Sequence, residues 1–377
     1  MKVYYIANAR MPTERAHGIQ LAKMCESLIE SGADLELVVP RRSSRQDIQA
    51  FYGLRVPIPV TRLPVIPVYT YGSIGFILGS CSFMVSYFFY ILWKKICNGA
   101  CVLYTIDMDQ FSFALVPYLG VPYFVEVHDA KENGFLFNTL FGRARGIIVI
   151  GGIIKEKLKS RFGIPDSRIC VHPNGIDPAM YEGLPSRKDA RKILGIPERA
   201  KIAVYAGKVY AWKGLAILSR ASMLLPHVHV YCVGAAQSEL EKEAGGLLSS
   251  RITCVGQKDF KEIPLWLSAA DVCLVAGTRS NEYSYFHTSP MKMFEYMCAS
   301  RPVVAARTPA NCEIVSDQEA VLYEPDSEKD LAEKIHYAIF EKKAVREKVK
   351  NAYEKVMGFT WEKRAKSIAA FMTKQTS

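Results

Sequence analysis

Tyr285-Phe286-His287-Thr288-Ser289-Pro290-Met291-Lys292-Met293-Phe294-Glu295-Tyr296-Met297 follows the apolar run Val272–Val275 after a long loop. Ser289 then Pro290 is a strong helix start: serine caps open amides, and proline at the first helical position gives up no hydrogen bond. A helix beginning just beyond the carboxyl end of a strand offers free amides and a positive dipole end to a phosphate. Glu295 lies two turns or fewer inward, where its carboxylate can accept hydrogen bonds from ribose hydroxyls. On this segment alone, a plain capped helix packed by Met293, Tyr296 and Met297 with Glu295 on the surface stays open.

Outward from this helix, the second half of the chain alternates strand-like and helical segments. Strands are expected at Ile202–Tyr205, His227–Val233, Ile252–Val255, Val272–Val275 and Val303–Ala305, with helices from Gly214, Ser238, Glu262 and Ser289. The first half does the same, with strands at Val3–Ala7, Leu35–Val39, Val102–Tyr104, Tyr123–Val127, Ile147–Ile150 and Ile169–His172. Such alternation predicts an α/β protein with two doubly wound parallel sheets. A Gly- and Pro-rich loop near Asp177 to Pro185 marks the first crossing between domains. We therefore expect residues 1–178 plus a returning helix over 360–377 to form one domain, and residues 179–359 the other. In open sheets of this kind ligands bind outside the carboxyl ends of the strands, so a cleft between the two is the expected site.

Several strand ends carry reactive groups. Tyr205-Ala206-Gly207-Lys208 closes one strand and Trp212-Lys213-Gly214 opens the next helix. Gly207 permits close approach of a ligand, and Lys208 and Lys213 flank the turn as two point charges suited to a departing diphosphate. In the first half, Glu126-Val127-His128-Asp129 ends a strand. His128 beside Asp129 is either a structural pair or, the reading we favour, a cleft histidine contacting the sugar. Asp107-Met108-Asp109 has metal-site spacing but reads as a helix cap in this setting. The loop Ala9 to Gly18, holding Arg10, Glu14, Arg15 and His17, faces the expected cleft and should touch donor or acceptor. It lacks Gly-x-Gly-x-x-Gly, so a nicotinamide dinucleotide has no fingerprint here.

Ile74 to Trp93 is long and apolar enough to suggest a membrane span. A crossing would separate the early strands from later members of the same sheet, which argues against it. Gly75, Gly79, Ser82 and Ser86 form a narrow stripe of small residues on one helical face, suited to close packing. The remaining surface, with Phe76, Ile77, Phe83, Met84, Tyr87, Phe88 and Tyr90, exceeds what one sheet covers. The segment 72–93 is therefore expected to dock partly on its own domain and partly in the lipid interface, the alternative being a wholly buried core helix.

The chain has 377 residues, half of them hydrophobic, and a formal net charge of +11. That charge suits nucleic acid, phosphate-rich ligands or an anionic membrane, but the dispersed basic residues include no nucleic-acid motif, so nucleic acid is not an expected partner. The ten cysteines show no zinc-ligand spacing. Reduced thiols and a short apolar start that reaches Arg10 too soon for a signal peptide point to a cytoplasmic protein, peripheral on the cytoplasmic face of the membrane.

Taken in order, these segments resemble family 4 of the glycosyltransferases, retaining enzymes of GT-B fold with two facing Rossmann-like domains. The segment Ser289 to Met297 followed by Arg301-Pro302-Val303-Val304-Ala305 is its most specific part. Val171-His172-Pro173-Asn174-Gly175-Ile176-Asp177 is similar to the stretch leading to the interdomain hinge. Phe359-Thr360-Trp361-Glu362 is similar to the start of the terminal helix that crosses back onto the first domain. The resemblance implies transfer of a sugar, with retention and without a metal or other cofactor, from a UDP- or GDP-linked donor. It implies His128 by the donor sugar, Lys208 and Lys213 on the diphosphate, and Glu295 on the ribose. Gly207, Thr288, Ser289, Pro290, Met291 and Lys292 would complete donor binding, with Arg10, Glu14, His17, Gly18 and Asp129 toward the acceptor. The family commonly shows two glutamates separated by seven residues; here His287 stands where the first would be, and Glu282 lies nearby. His17-Gly18 also replaces the usual glycine pair after the first strand. The acceptor expected from the apolar helix is a lipid-linked saccharide or glycolipid. An inactive nucleotide-sugar-binding partner protein and a nucleotide-sugar epimerase are the competing readings.

Overall fold

The computed structural model describes residues 2–42, 46–69, 71–106 and 109–376. Asp107 and Met108 lie outside them, so only Asp109 of the paired-aspartate segment can be placed. Its side chain accepts from the Ser112 amide at 2.9 Å and so caps the short helix Gln110–Phe113.

The chain divides into two compact units, Met1–Asn174 with Trp361–Ser377, and Gly175–Thr360. The first is built on a seven-stranded sheet: β1 (Lys2–Ile6), β2 (Asp34–Pro40), β3 (Val60–Leu63), β4 (Cys101–Ile106), β5 (Tyr123–Val127), β6 (Gly146–Val149) and β7 (Ile169–Val171). Its order is β3-β2-β1-β4-β5-β6-β7, with every pairing parallel. The second carries six strands: β8 (Lys201–Ala206), β9 (Val228–Val233), β10 (Ile252–Gly256), β11 (Val272–Val275), β12 (Val303–Ala306) and β13 (Val321–Tyr323). Their order is β10-β9-β8-β11-β12-β13, again all parallel. Strands buried on both faces explain the near-continuous apolar runs of β6, β11 and β12. In each sheet the order reverses once, beside β1 and β4 in the first and beside β8 and β11 in the second. Those carboxyl ends are where a doubly wound sheet receives a ligand.

The helix Trp361–Thr376 belongs to the first unit and packs on Ala16–Glu30. Its Arg364 side chain is fully buried and bonds the Glu126 carboxylate at 2.7 Å. The helix Gly72–Asn98 is seated by its small residues. A Cβ on Gly75 would stand 2.0 Å from the Val68 carbonyl oxygen, and one on Gly79 would stand 2.6 Å from the Tyr69 ring. Ser82 accepts from the Ile66 amide at 2.9 Å and Ser86 donates to the Pro64 carbonyl at 2.6 Å. The stripe of small residues thus packs against residues 64–69.

Of the aromatics outside the stripe, Phe83 and Tyr87 turn into the core, where the Tyr87 hydroxyl donates to the Ser112 carbonyl at 2.6 Å. Burying each ring is worth roughly 1.5–3 kcal/mol, which outweighs exposing it. A wholly buried helix is overturned. Ile74 is 74% exposed, Phe89 65% and Ile96 84%, and Phe76, Leu78, Val85 and Trp93 are exposed with them.

Candidate functional site

The second unit gathers charge at the end of β8. Gly207 follows the strand with φ +147, a conformation open to glycine, and a Cβ there would lie 2.7 Å from the Lys292 Nζ. That Nζ sits over the Tyr205 ring, 4.0 Å from its centroid, a cation–π contact. Lys213 Nζ donates to the Lys208 carbonyl at 2.8 Å and to the Tyr205 hydroxyl at 3.4 Å. Lys213 also lies over the Tyr210 and Trp212 rings. Tyr205, which the sequence presents as a core strand residue, is therefore the shared floor for two ammonium groups. Lys208 enters this cluster through its carbonyl, and Lys292 supplies the second ammonium.

Lys292 opens the helix Met291–Cys298, which Tyr296 pins to β8 by accepting the Ala206 amide at 2.8 Å. The expected Ser289 cap is not formed. Pro290 has an extended ψ of 109 and occupies the capping position itself; its carbonyl accepts from Met293 at 2.9 Å, so the helix begins at Met291. The amide-bearing turn survives one residue further along. Gly214 likewise does not start a helix: it takes φ +65, leaving room against Thr278, and the helix runs Ala216–Met223.

Burial governs the titration of these groups. It pushes the Lys213 ammonium down to about 8. It also holds Lys292 well below its ordinary value, and the nearby Lys213 lowers it further. Burial raises the Glu295 carboxyl to about 7, although Lys292 pulls the other way. Among the described residues, no carboxylate forms an ion pair with Lys213 or Lys292. Two ammonium groups without a direct ion pair, at the switch point of a doubly wound sheet, are arranged to receive an anion.

His287 is buried at the end of a wide helical turn, Tyr283–His287, with its Nε2 4.0 Å from the Glu282 carboxylate. The histidine and the nearby glutamate are thus neighbours. Thr288 donates to the Ser284 carbonyl at 3.3 Å, and Ser284 in turn accepts from the Thr278 amide.

In the first unit His128 pairs with Glu126, its Nε2 2.6 Å from the carboxylate, and Gln20 approaches at 3.1 Å. Its partner is therefore not Asp129, which pairs with Lys131 at 2.6 Å. On a strand, residues two apart share a face, which brings Glu126 and His128 together and turns Asp129 away. Burial would raise the Glu126 carboxyl, but Arg364, His128 and Tyr104 hold it at about 2.

The segment after β1 lines a cavity of about 1580 Å³ together with Arg41, Arg42, Arg62 and Phe76. Arg10 and Glu14 pair across its wall at 3.0 Å. His17 and Gly18 lie in the first turn of the helix Ala16–Glu30. Gly18 is buried because a side chain there would strike the Tyr52 hydroxyl, which holds both the amide and the carbonyl of Thr13 at 2.7 Å.

Residues 200–339 match the family model described as glycosyl transferases group 1. The chain is 25% identical over 228 residues to the putative teichuronic acid biosynthesis glycosyltransferase TuaC of Bacillus subtilis (strain 168). That match takes in 57% of this chain and 54% of the relative, so it spans about half the relative's length. In fold, the whole chain is similar to sucrose-phosphate synthase of Thermosynechococcus elongatus, with TM-score 0.76, 17% identity and coverage of 100% and 99%. It is equally similar to Anabaena Alr3699/HepE in complex with UDP and glucose, with TM-score 0.75, 18% identity and coverage of 99% and 100%. Residues 200–339 are thus similar to the group 1 glycosyl transferases, within a chain whose fold is that of the GT-B glycosyltransferases.

Proposed function

We propose that this protein is a retaining glycosyltransferase that moves a sugar from a UDP- or GDP-linked donor onto an acceptor at the membrane surface. The observation that carries the reading is the pair of half-buried ammonium groups, Lys213 and Lys292, on Tyr205 at the end of β8. A nucleoside diphosphate is a leaving group whose charge develops in the transition state, and desolvated cations already in place stabilise it without reorganisation. With two lysines in that role, the proposal calls for no metal or other cofactor.

Glu295 accepts the ribose hydroxyls in this reading. The amides of the turn over 289–291 hold phosphate, and His287, with Glu282 beside it, contacts the donor sugar. His128 contacts the donor sugar as well, while Asp129 and the groups after β1 serve the acceptor side. The exposed apolar side of Gly72–Asn98 supports a peripheral setting on the cytoplasmic face of the membrane, with a lipid-linked saccharide or glycolipid as acceptor.

Incubation with a panel of labelled nucleotide sugars tests the reading. Slow hydrolysis of one donor, abolished in Lys213→Ala, is the expected result. Tight nucleotide binding with no turnover of any donor, in the presence of membrane lipid extract, would replace it with an inactive binding partner.

A further inference from the structure

The cavity after β1 lies wholly within the first unit and has a chemistry of its own. Arg10, Arg15, Arg41, Arg42 and Arg62 face Glu14 and Asp47 as its charged lining. Arg10 is matched by Glu14, and Asp47 is engaged in capping a helix at the Ala50 amide, 2.7 Å away. Among the described residues, no carboxylate pairs with Arg15, Arg41, Arg42 or Arg62. Arg42 is the most constrained. Its guanidinium lies 3.5 Å from the Tyr69 ring centroid and donates to Asn8 at 2.6 Å, while its Nε is buried without an acceptor. Stacking of this kind fixes a planar fork in place before any ligand arrives.

One wall of the same cavity is apolar. Val65, Pro67, Tyr69 and Phe76 line it, and Phe76 stands on the helix Gly72–Asn98 near the exposed Ile74 and Leu78. A concentration of unpaired arginines thus opens beside an uncovered hydrophobic surface. A soluble sugar would satisfy neither.

We infer that this cavity receives the phosphate-bearing head group of an amphiphile whose apolar tail lies along Gly72–Asn98. Arg41, Arg42 and Arg62 bind the phosphate and Phe76 marks where the tail leaves. Guanidinium forks match phosphate oxygens two at a time, which a lone surface lysine does not do. Naming this amphiphile as the acceptor rests on the transferase reading; the binding itself does not.

Calorimetric titration of the full chain with farnesyl diphosphate, inorganic pyrophosphate and octyl glucoside tests the inference. It is run in wild type and in Lys213→Ala, which weakens the other diphosphate site. Farnesyl diphosphate is expected to bind at least about ten-fold more tightly than either comparison compound in both proteins, and to weaken as salt is raised. Arg41→Gln, Arg42→Gln and Arg62→Gln should each cost about three-fold or more, whereas Lys374→Gln, exposed on Trp361–Thr376, should cost nothing. If Arg42→Gln does not fold, the other two arginine variants still decide the matter.

Equal binding by pyrophosphate would make this an ordinary anion site, and equal binding by octyl glucoside would leave only an apolar patch. Either result, or indifference to all three arginine variants, overturns the inference. Neither touches the transferase reading, which stands or falls on donor turnover.

Discussion

Both units bury ionisable groups at the carboxyl ends of their strands, but they treat them in opposite ways. In the first, Glu126 is surrounded by Arg364, His128, Gln20 and Tyr104 and ends with a carboxyl held at about 2. In the second, Lys213 and Lys292 share Tyr205, and both end with their pKa values depressed. The second unit is able to pair charge elsewhere. At the opposite end of β11, Asp271 is bound by Arg191 at 2.8 Å and Arg187 at 2.7 Å. The deficit is therefore local to the strand end where a ligand would arrive. A buried group that has found its partner supports the fold, whereas one left wanting costs stability and reserves binding for something outside the chain.

The sharpest way to break this contrast is to remove one cation from each unit. Arg364→Ala should cost about 3–5 kcal/mol in chemical denaturation, because Glu126 would stay buried without its counter-charge. A loss below about 1 kcal/mol would show that the pair is not structural. Lys213→Ala should lower kcat/KM by about 10²–10³-fold, the range seen when one preorganised transition-state donor is removed. Its melting temperature should stay level or rise, since a desolvated ammonium is gone. A variant that melts early and turns over normally would reverse the assignment.

Smaller effects follow from pH. Lys213 titrates near 8 in the free protein and must be charged to hold a diphosphate. Affinity for UDP or GDP measured calorimetrically should fall as pH rises beyond about 8, by at most about ten-fold per unit for one proton. That slope should lessen in Lys213→Ala and vanish only when Lys292 is replaced as well.

The stability curve gives the finest test. Glu295, raised to about 7, destabilises the fold where it is ionised and buried, so its penalty is full above 7 and relieved as pH falls toward the ordinary carboxylate range. Glu126, held at about 2, acts in the other direction: its contribution is full above the ordinary range and is lost as pH falls through about 2. Glu295→Gln should flatten the first change and leave the second, read from denaturation midpoints across pH.

The sequence displays the two alternations plainly, because a buried parallel strand is a dense apolar run and eleven such runs stand in order. The two missed strands, Val60–Leu63 and Val321–Tyr323, lie at sheet edges, where four or three residues carry too little apolar signal. Lys213, Lys292 and Glu295 could be picked out by their strand-end and helix-start positions. Tyr205 could not, since nothing distinguishes a tyrosine filling a core from one supporting two lysines.

The Ser289 cap was a reasonable expectation from residue type, but backbone dihedrals at Pro290 decide where the helix begins. The wide turn Tyr283–His287 has no pattern that announces it. Arg364 reads from the sequence as one more cation on a helix. Its partner lies 238 residues away, a separation across which no local rule operates. The same holds for Arg42 and Tyr69, which become a stacked pair only once residues 64–69 are drawn under Gly75 and Gly79.

That separation of Glu126 from Arg364 bears on how the protein is made. During synthesis the strand bearing the carboxylate leaves the ribosome well before the guanidinium is translated, with the whole second unit emerging in between. Until then the nascent sheet holds an acid met only by Gln20, Tyr104 and His128, without its guanidinium, and water must keep access to it. Completion of the first unit is thereby postponed until the second has been polymerised, which makes the two halves obligate companions in biogenesis.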